Sequence, residues 1–228
     1  MFKIESMHFK NPAFKHFSWA FFALLLLSSP LLFKDKTVLN IWLNQHHTLF
    51  LDYFFKYITN LGNGWVLLFV LLFALSRNYF LSFVFVLSVL FEFLLVQIVL
   101  KHGFFEDIVR PIKYIANSDL LHKVPGVNIS TLHSFPSGHT QTAFLVFAFL
   151  TLFCKRRFLA YMFLLFAVSV ALSRVYLLQH FFIDVWFGAL IGYLFLVILL
   201  FLFNKYSPLS THPKWTKGFW SKKENSVY

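Results

Sequence analysis

The chain has 228 residues, of which 59% are hydrophobic and only 13% charged, with a mean hydropathy of +0.70. Soluble globular chains run roughly 45–50% apolar and about 25% charged, so an ordinary soluble domain is excluded, and so is intrinsic disorder. The formal charge is nevertheless +11, and where that charge sits is the next question.

Charged residues divide the apolar sequence into segments. Residues 17–33, 57–76, 140–154, 158–173 and 185–204 contain no Asp, Glu, Lys or Arg, and 78–100 contains only Glu92. A bilayer-crossing helix needs about 20 apolar residues. The pattern therefore predicts an all-α polytopic membrane protein, a bundle of six transmembrane helices forming a single domain over 1–228. Long apolar runs argue against a β-barrel, whose strands alternate. The first run lacks a small-x-small cleavage site and reads as the first span rather than a signal peptide. Glu92, inside the third span, is expected to face the bundle, pair with a polar neighbour such as Gln97, or be protonated.

Six spans put both termini on one side. That side holds 12 of the 20 basic residues against Glu5 and Glu224, while the other holds eight bases and six acids. The positive-inside rule then places both termini in the cytoplasm. The excess charge thus reports orientation, and a nucleic-acid partner is not expected. The tail from about 205, with five Lys, Tyr206, Trp215 and Trp220, reads as either a headgroup-contacting segment or a solvated one. On the outer side, 34–56 carries a mildly amphipathic stretch suited to the interface. The 34 Phe residues read as compositional bias on lipid-facing surfaces. The single cysteine, Cys154, excludes an internal disulfide and a Cys-rich metal site. Asn128-Ile129-Ser130 is a glycosylation sequon, read as chance.

The unusual residues converge on the outer face. Lys101 ends the third span, Arg110-Pro111 follows in the loop, and Pro136-Ser137-Gly138-His139 opens the fourth span. Ser173-Arg174 ends the fifth, and His180 and Asp184 fill the turn into the sixth. A Lys and two Arg suit phosphate, and Ser137-Gly138 at a helix start offers free N–H groups to an anion. Two histidines can divide nucleophile and general-acid roles. Asp184, four residues after His180, can hold its imidazole. No carboxylate triad is present for Mg²⁺. His102, Glu106, Asp107, His122 and His133 lack coherent ligand spacing and read as solvated loop residues. Neither a metal nor a cofactor is expected.

These residues resemble the type 2 phosphatidic acid phosphatase (PAP2) superfamily, in particular its bacterial integral membrane lipid phosphatases. The PSGH motif is complete at Pro136–His139, and SR-x5-H-x3-D is complete at Ser173, Arg174, His180 and Asp184. The first motif normally reads K-x6-RP, but here eight residues separate Lys101 from Arg110-Pro111. Either a bulge or insertion keeps Lys101 in the site, or Lys101 is displaced, with Lys113 a weaker substitute. The resemblance implies that His180 attacks phosphorus, Asp184 orients it, and His139 protonates the leaving oxygen and then activates water. Lys101, Arg110, Ser137, Gly138 and Arg174 would bind the phosphate.

The implied function is an integral membrane lipid phosphatase of the cell (inner) membrane, its site facing the periplasm or exterior. Undecaprenyl pyrophosphate and lipid A are favoured as substrates over phosphatidylglycerophosphate and phosphatidic acid. A lipid-to-lipid phosphotransferase could use the same site. A rhomboid-type serine protease would instead want G-x-S-G, whereas Phe135-Pro136 precede Ser137. A non-enzymatic lipid transporter or scaffold would not need His180.

Overall fold

The first apolar run begins at Asn11, whose side-chain oxygen accepts the Phe14 N–H at 3.2 Å, with Pro12 just inside the helix. Both features favour a helix start, and α1 runs over Pro12–Ser28. It ends in a 3₁₀ turn over Ser29–Phe33 containing Pro30. The computed structural model describes residues 9–220, apart from 116, 118, 119 and 207 and the side chains of Gln97 and His102. Of the charges weighed above, Lys3, Glu5, Asp119, Lys222, Lys223 and Glu224 lie outside the described residues, as does the side chain of Glu92's suggested partner Gln97.

The order continues with α2 (Val38–Gln45), α3 (Leu49–Ile58), α4 (Gly64–Arg77) and α5 (Tyr79–Glu92). From α5 the chain continues in wider π winding over Phe93–Phe104. Short α6 (Pro111–Tyr114) is followed by α7 (Gly138–Thr151), α8 (Arg157–Tyr176) and α9 (Phe182–Tyr206). All secondary structure among the described residues is helical.

Four helical stretches are long and apolar enough to cross a membrane: Pro12–Phe33, Tyr79–Lys101, Arg157–Tyr176 and Phe182–Tyr206. A fifth arises if Leu49–Gly62 and Gly64–Arg77, which meet at 54°, form one broken span. The run 57–76 is therefore not one straight helix, because the chain turns at Gly62-Asn63-Gly64. The run 140–154 forms the 14-residue α7, about 21 Å long against a hydrocarbon core of about 30 Å. Ten of its residues are buried. A helix enclosed by its neighbours has no need to match the bilayer thickness.

α7 packs mainly against α8 and α9. A Gly-x3-Gly pair in α9, Gly188 and Gly192, makes the closest approach possible. A Cβ on Gly188 would meet the Ser137 carbonyl oxygen at 2.8 Å, and one on Gly192 would collide with the Gln141 backbone. Small residues at this spacing let membrane helices touch backbone to backbone. The core around them is rich in Phe: Phe17, Phe21, Phe80, Phe85, Phe144 and Phe149 are all buried. The Phe bias therefore builds the interior as well as the lipid-facing surface. That surface includes Leu26, Leu27, Phe69 and Leu94, all exposed. Glu92 is buried in the bundle, as its position in an apolar run required.

α2 is inverted relative to a helix on a soluble protein. Its buried residues are Asn40 and Asn44, while Val38 and Trp42 are exposed. An outward apolar face is what an interfacial helix presents to lipid. At the opposite end of the bundle the C-terminal tail is not simply solvated. Phe80 N–H donates to Trp215 O at 2.7 Å and Tyr79 N–H to Lys217 O at 3.1 Å, while Phe219 and Trp220 N–H donate to Leu75 and Ser76 O at 3.2 Å each. The tail thereby satisfies helix-end groups at the α4–α5 turn that would otherwise lack partners.

Candidate active site

α8 and the Leu177–Phe181 turn carry two of the expected residues, and the start of α7 carries two more. Lys101 comes from the π-wound segment and Arg110 from the loop before α6. These segments meet at a cavity of about 510 Å³ whose lining includes Lys101, Arg110, Gly138, His139, Arg174 and His180. No carboxylate is among the described residues that line it. The longer spacing between Lys101 and Arg110 therefore leaves both at one site. π winding carries an extra residue per hydrogen-bonded turn and often marks functional sites. Here it runs through Lys101 to Phe104, and the loop after it takes up the remaining length. Lys113 is not among the lining residues.

The two arginines are tied to the protein by hydrogen bonds. Arg110 Nε donates to Leu132 O at 2.7 Å, and Nη1 donates to Gln179 Oε1 at 2.8 Å and Gln179 O at 3.2 Å. Gln179 in turn donates from Nε2 to Asn128 O at 2.8 Å, tying the Arg to the loop wall. Arg174 Nη1 donates to Thr59 Oγ1 at 3.0 Å, while its buried Nε has no protein partner. A buried donor left without a partner is costly, unless a ligand supplies the acceptor.

His180 is buried, and its Nδ1 lies 2.6 Å from the Ser134 carbonyl oxygen. A carbonyl only accepts, so Nδ1 carries the proton and Nε2 the lone pair. Burial, reinforced by Arg174, Arg110 and Lys101, pushes the imidazole well below its ordinary value of 6.5. The ring is therefore neutral at neutral pH. Asp184 Oδ2 stands 3.5 Å from Nδ1, adjacent but outside good hydrogen-bond range. Its bonds are to Ser134 Oγ–H at 2.5 Å and Phe181 N–H at 2.9 Å. Asp184 thus holds Ser134, and the Ser134 carbonyl holds His180.

Ser137 lies behind the cavity. It is fully buried, its N–H donates to Asp184 O at 3.1 Å, and its Oγ accepts from Thr140 Oγ1 at 2.9 Å. The free N–H groups at this helix start belong to Gly138 and its successors. Three contributors were missed in sequence: Ser134, Gln179 and Asn40. Asn40 Nδ2 donates to Val175 O at 2.9 Å and His180 O at 3.1 Å, bracing the turn that presents His180.

The PAP2 superfamily model matches residues 81–207, a stretch that contains every expected site residue. The chain belongs to the PAP2 superfamily. Among solved structures, this PAP2 chain is similar to LpxE from Aquifex aeolicus, at 29% identity and a TM-score of 0.62, covering 71% of this chain and 92% of that one. It also shares the fold of the first transmembrane PAP2-type phosphatidylglycerolphosphate phosphatase from Bacillus subtilis, at 21% identity and a TM-score of 0.60, covering 87% and 98% respectively. Comparison with curated protein sequences gives no match.

Proposed function

We propose that this PAP2 protein is a metal-independent lipid phosphatase that removes phosphate or pyrophosphate from an envelope lipid by way of a phosphohistidine. The observation that carries the reading is the cavity itself: three basic side chains and two histidines line it, with no carboxylate among the described lining residues. Such a lining attracts a phosphate and repels nothing anionic. His180 Nε2 attacks phosphorus as the bond to the lipid oxygen breaks, and His139 gives that oxygen its proton. Water then attacks the phosphohistidine, His139 takes the water's proton, and inorganic phosphate leaves. Lys101, Arg110 and Arg174 neutralise the transferred group, with the Gly138 end of α7 adding backbone donors. Asp184 acts through Ser134. Ser137 is a phosphate ligand by motif; its burial suits it better to fixing the start of α7.

In this reading α1, α4, α5, α7, α8 and α9 are six membrane segments with both termini cytoplasmic. Lys10, Arg77 and Lys155 line one crevice at the end remote from the site, which supports a cytoplasmic assignment for that end by the positive-inside rule. The catalytic cavity then opens to the periplasm or exterior of the inner membrane, where a lipid headgroup enters while its tails stay in the bilayer. Undecaprenyl pyrophosphate and lipid A are the favoured substrates, ahead of phosphatidylglycerophosphate and phosphatidic acid. Phosphate release by the purified protein from all four lipids, with His180→Ala as control, tests the proposal. Release from at least one, abolished in the variant, supports it, and no release from any lipid rejects it. Label passing from phosphohistidine to a lipid acceptor rather than water would make the enzyme a phosphotransferase.

A further inference from the structure

A second group of metal-capable side chains lies outside the catalytic cavity. His47 sits in the link between α2 and α3, Asp52 in the first turn of α3, and His122 in the long loop before α7. One ligand atom from each lies within 4.8 Å of the others. None of the three lines the catalytic cavity. In sequence, His122 read as a solvated loop residue, because its partners are 70 or more positions away.

The group is oriented from behind. His122 Nε2 is 2.8 Å from Asp52 Oδ2, and the other Asp52 oxygen accepts the Tyr176 hydroxyl at 2.5 Å. The backbone of His122 is clamped by Asn44, which accepts from its N–H at 3.1 Å and donates to its carbonyl at 2.8 Å. The His47 and His122 rings stack at 3.7 Å with an 8° tilt. Lys56, one turn on from Asp52, is engaged with Pro125 O at 2.6 Å. Metal-binding sites use this kind of outer bracing to fix their ligands.

We propose that His47, Asp52 and His122 form a site for a divalent transition-metal ion of the zinc class, which staples the long loop to the α2–α3 hairpin. Two imidazoles and a carboxylate, with a remaining position for water, are a zinc donor set. Metal–ligand bonds of about 2.0–2.1 Å place tetrahedral donors about 3.3 Å apart, so the donor atoms must close by at most about 1.5 Å, and the His47 ring must turn out of its stack on His122, because a metal lies in the plane of each imidazole it binds. His47 is exposed and free to make both movements. The stapled loop supplies Val127, Asn128 and Ser130 to the catalytic cavity wall. Asp52 also holds Tyr176, two residues beyond Arg174. Metal occupancy therefore stiffens one wall of the site without entering it.

The test uses the full-length protein in detergent, free of any histidine tag and stripped of metal, titrated with Co²⁺ as a spectroscopic probe. The expected result is one equivalent bound with a visible ligand-field band, displaced by Zn²⁺, and a higher Tm with Zn²⁺ than without. His47→Ala and His122→Ala should each weaken binding at least about tenfold, whereas His180→Ala should bind as the wild type does. His47→Ala is a safe variant for folding because its side chain is exposed. The proposal is overturned if the wild type takes up no stoichiometric Co²⁺, if either His47→Ala or His122→Ala binds unchanged, or if His180→Ala abolishes binding.

Discussion

Ser134→Ala isolates the link between Asp184 and the proposed nucleophile. The substitution removes one hydroxyl, which donates at 2.5 Å to Asp184 Oδ2, and both residues are almost fully buried. A hydrogen bond to a charged group contributes about 1.5–3 kcal/mol. Asp184 keeps its bond from Phe181 N–H, so the carboxylate retains one partner. If the lost bond is expressed in the transition state, kcat falls about 10–100-fold, since about 1.4 kcal/mol is tenfold. Ser134 does not line the cavity, so KM should stay within about twofold. A merely structural role would lower the Tm and leave kcat per folded molecule unchanged. The assay is phosphate release at saturating and limiting substrate, with a thermal melt on the same samples. A double-mutant cycle with Asp184→Asn should show coupling of about 1 kcal/mol or more. Wild-type kcat in folded Ser134→Ala, or additive effects in the cycle, would refute the relay.

Lys101→Met should lower kcat/KM by about tenfold or more, because it removes one of three cations from the cavity wall, whereas Lys113→Met should leave phosphate release unchanged; the reverse result would mean that the longer spacing displaces Lys101. Gly192→Leu should abolish the fold or lower the Tm strongly, since its side chain has to enter the Gln141 backbone, while Ala at exposed Leu94 should shift the Tm little. His180 predicts a pH effect on stability. Its folded-state value lies well below 6.5, so below about pH 6.5 the unfolded chain binds a proton that the folded chain refuses. Stability is then full above that pH and is lost on acidification, by at most about 1.4 kcal/mol per pH unit for one group. The Tm drop between pH 7.5 and 5.5 should be smaller in His180→Asn than in the wild type; an equal or larger drop would show that His180 is not held neutral by burial.

The chemistry-bearing residues were legible because they interrupt apolar runs, where polar side chains stand out. Their positions in the sequence thereby put Arg174, His180 and His139 at one end of the bundle. The bracing residues were harder to see. Asn40 and Asn44 did carry a signal: two polar residues four apart on an otherwise apolar stretch must face inward if the rest faces lipid. Gly188 and Gly192 carried one too, the small-x3-small spacing. Ser134 carried none, because its decisive contacts are a backbone carbonyl to His180 and a hydroxyl to a residue 50 positions away. The π winding that accompanies Lys101 and the backbone pairing of the tail with the α4–α5 turn involve main-chain geometry, which side-chain pattern does not encode. α7 is only 14 residues long, and a run free of charge does not distinguish a helix in lipid from one enclosed by protein.

Trapping the covalent intermediate tests the central claim most directly. Quenching the purified protein with SDS at alkaline pH during turnover of a phosphate-labelled lipid should leave label on His180, stable to base and labile to acid, and His180→Ala should carry none. Label on Ser137, or steady phosphate release by His180→Ala at the wild-type rate, would contradict it.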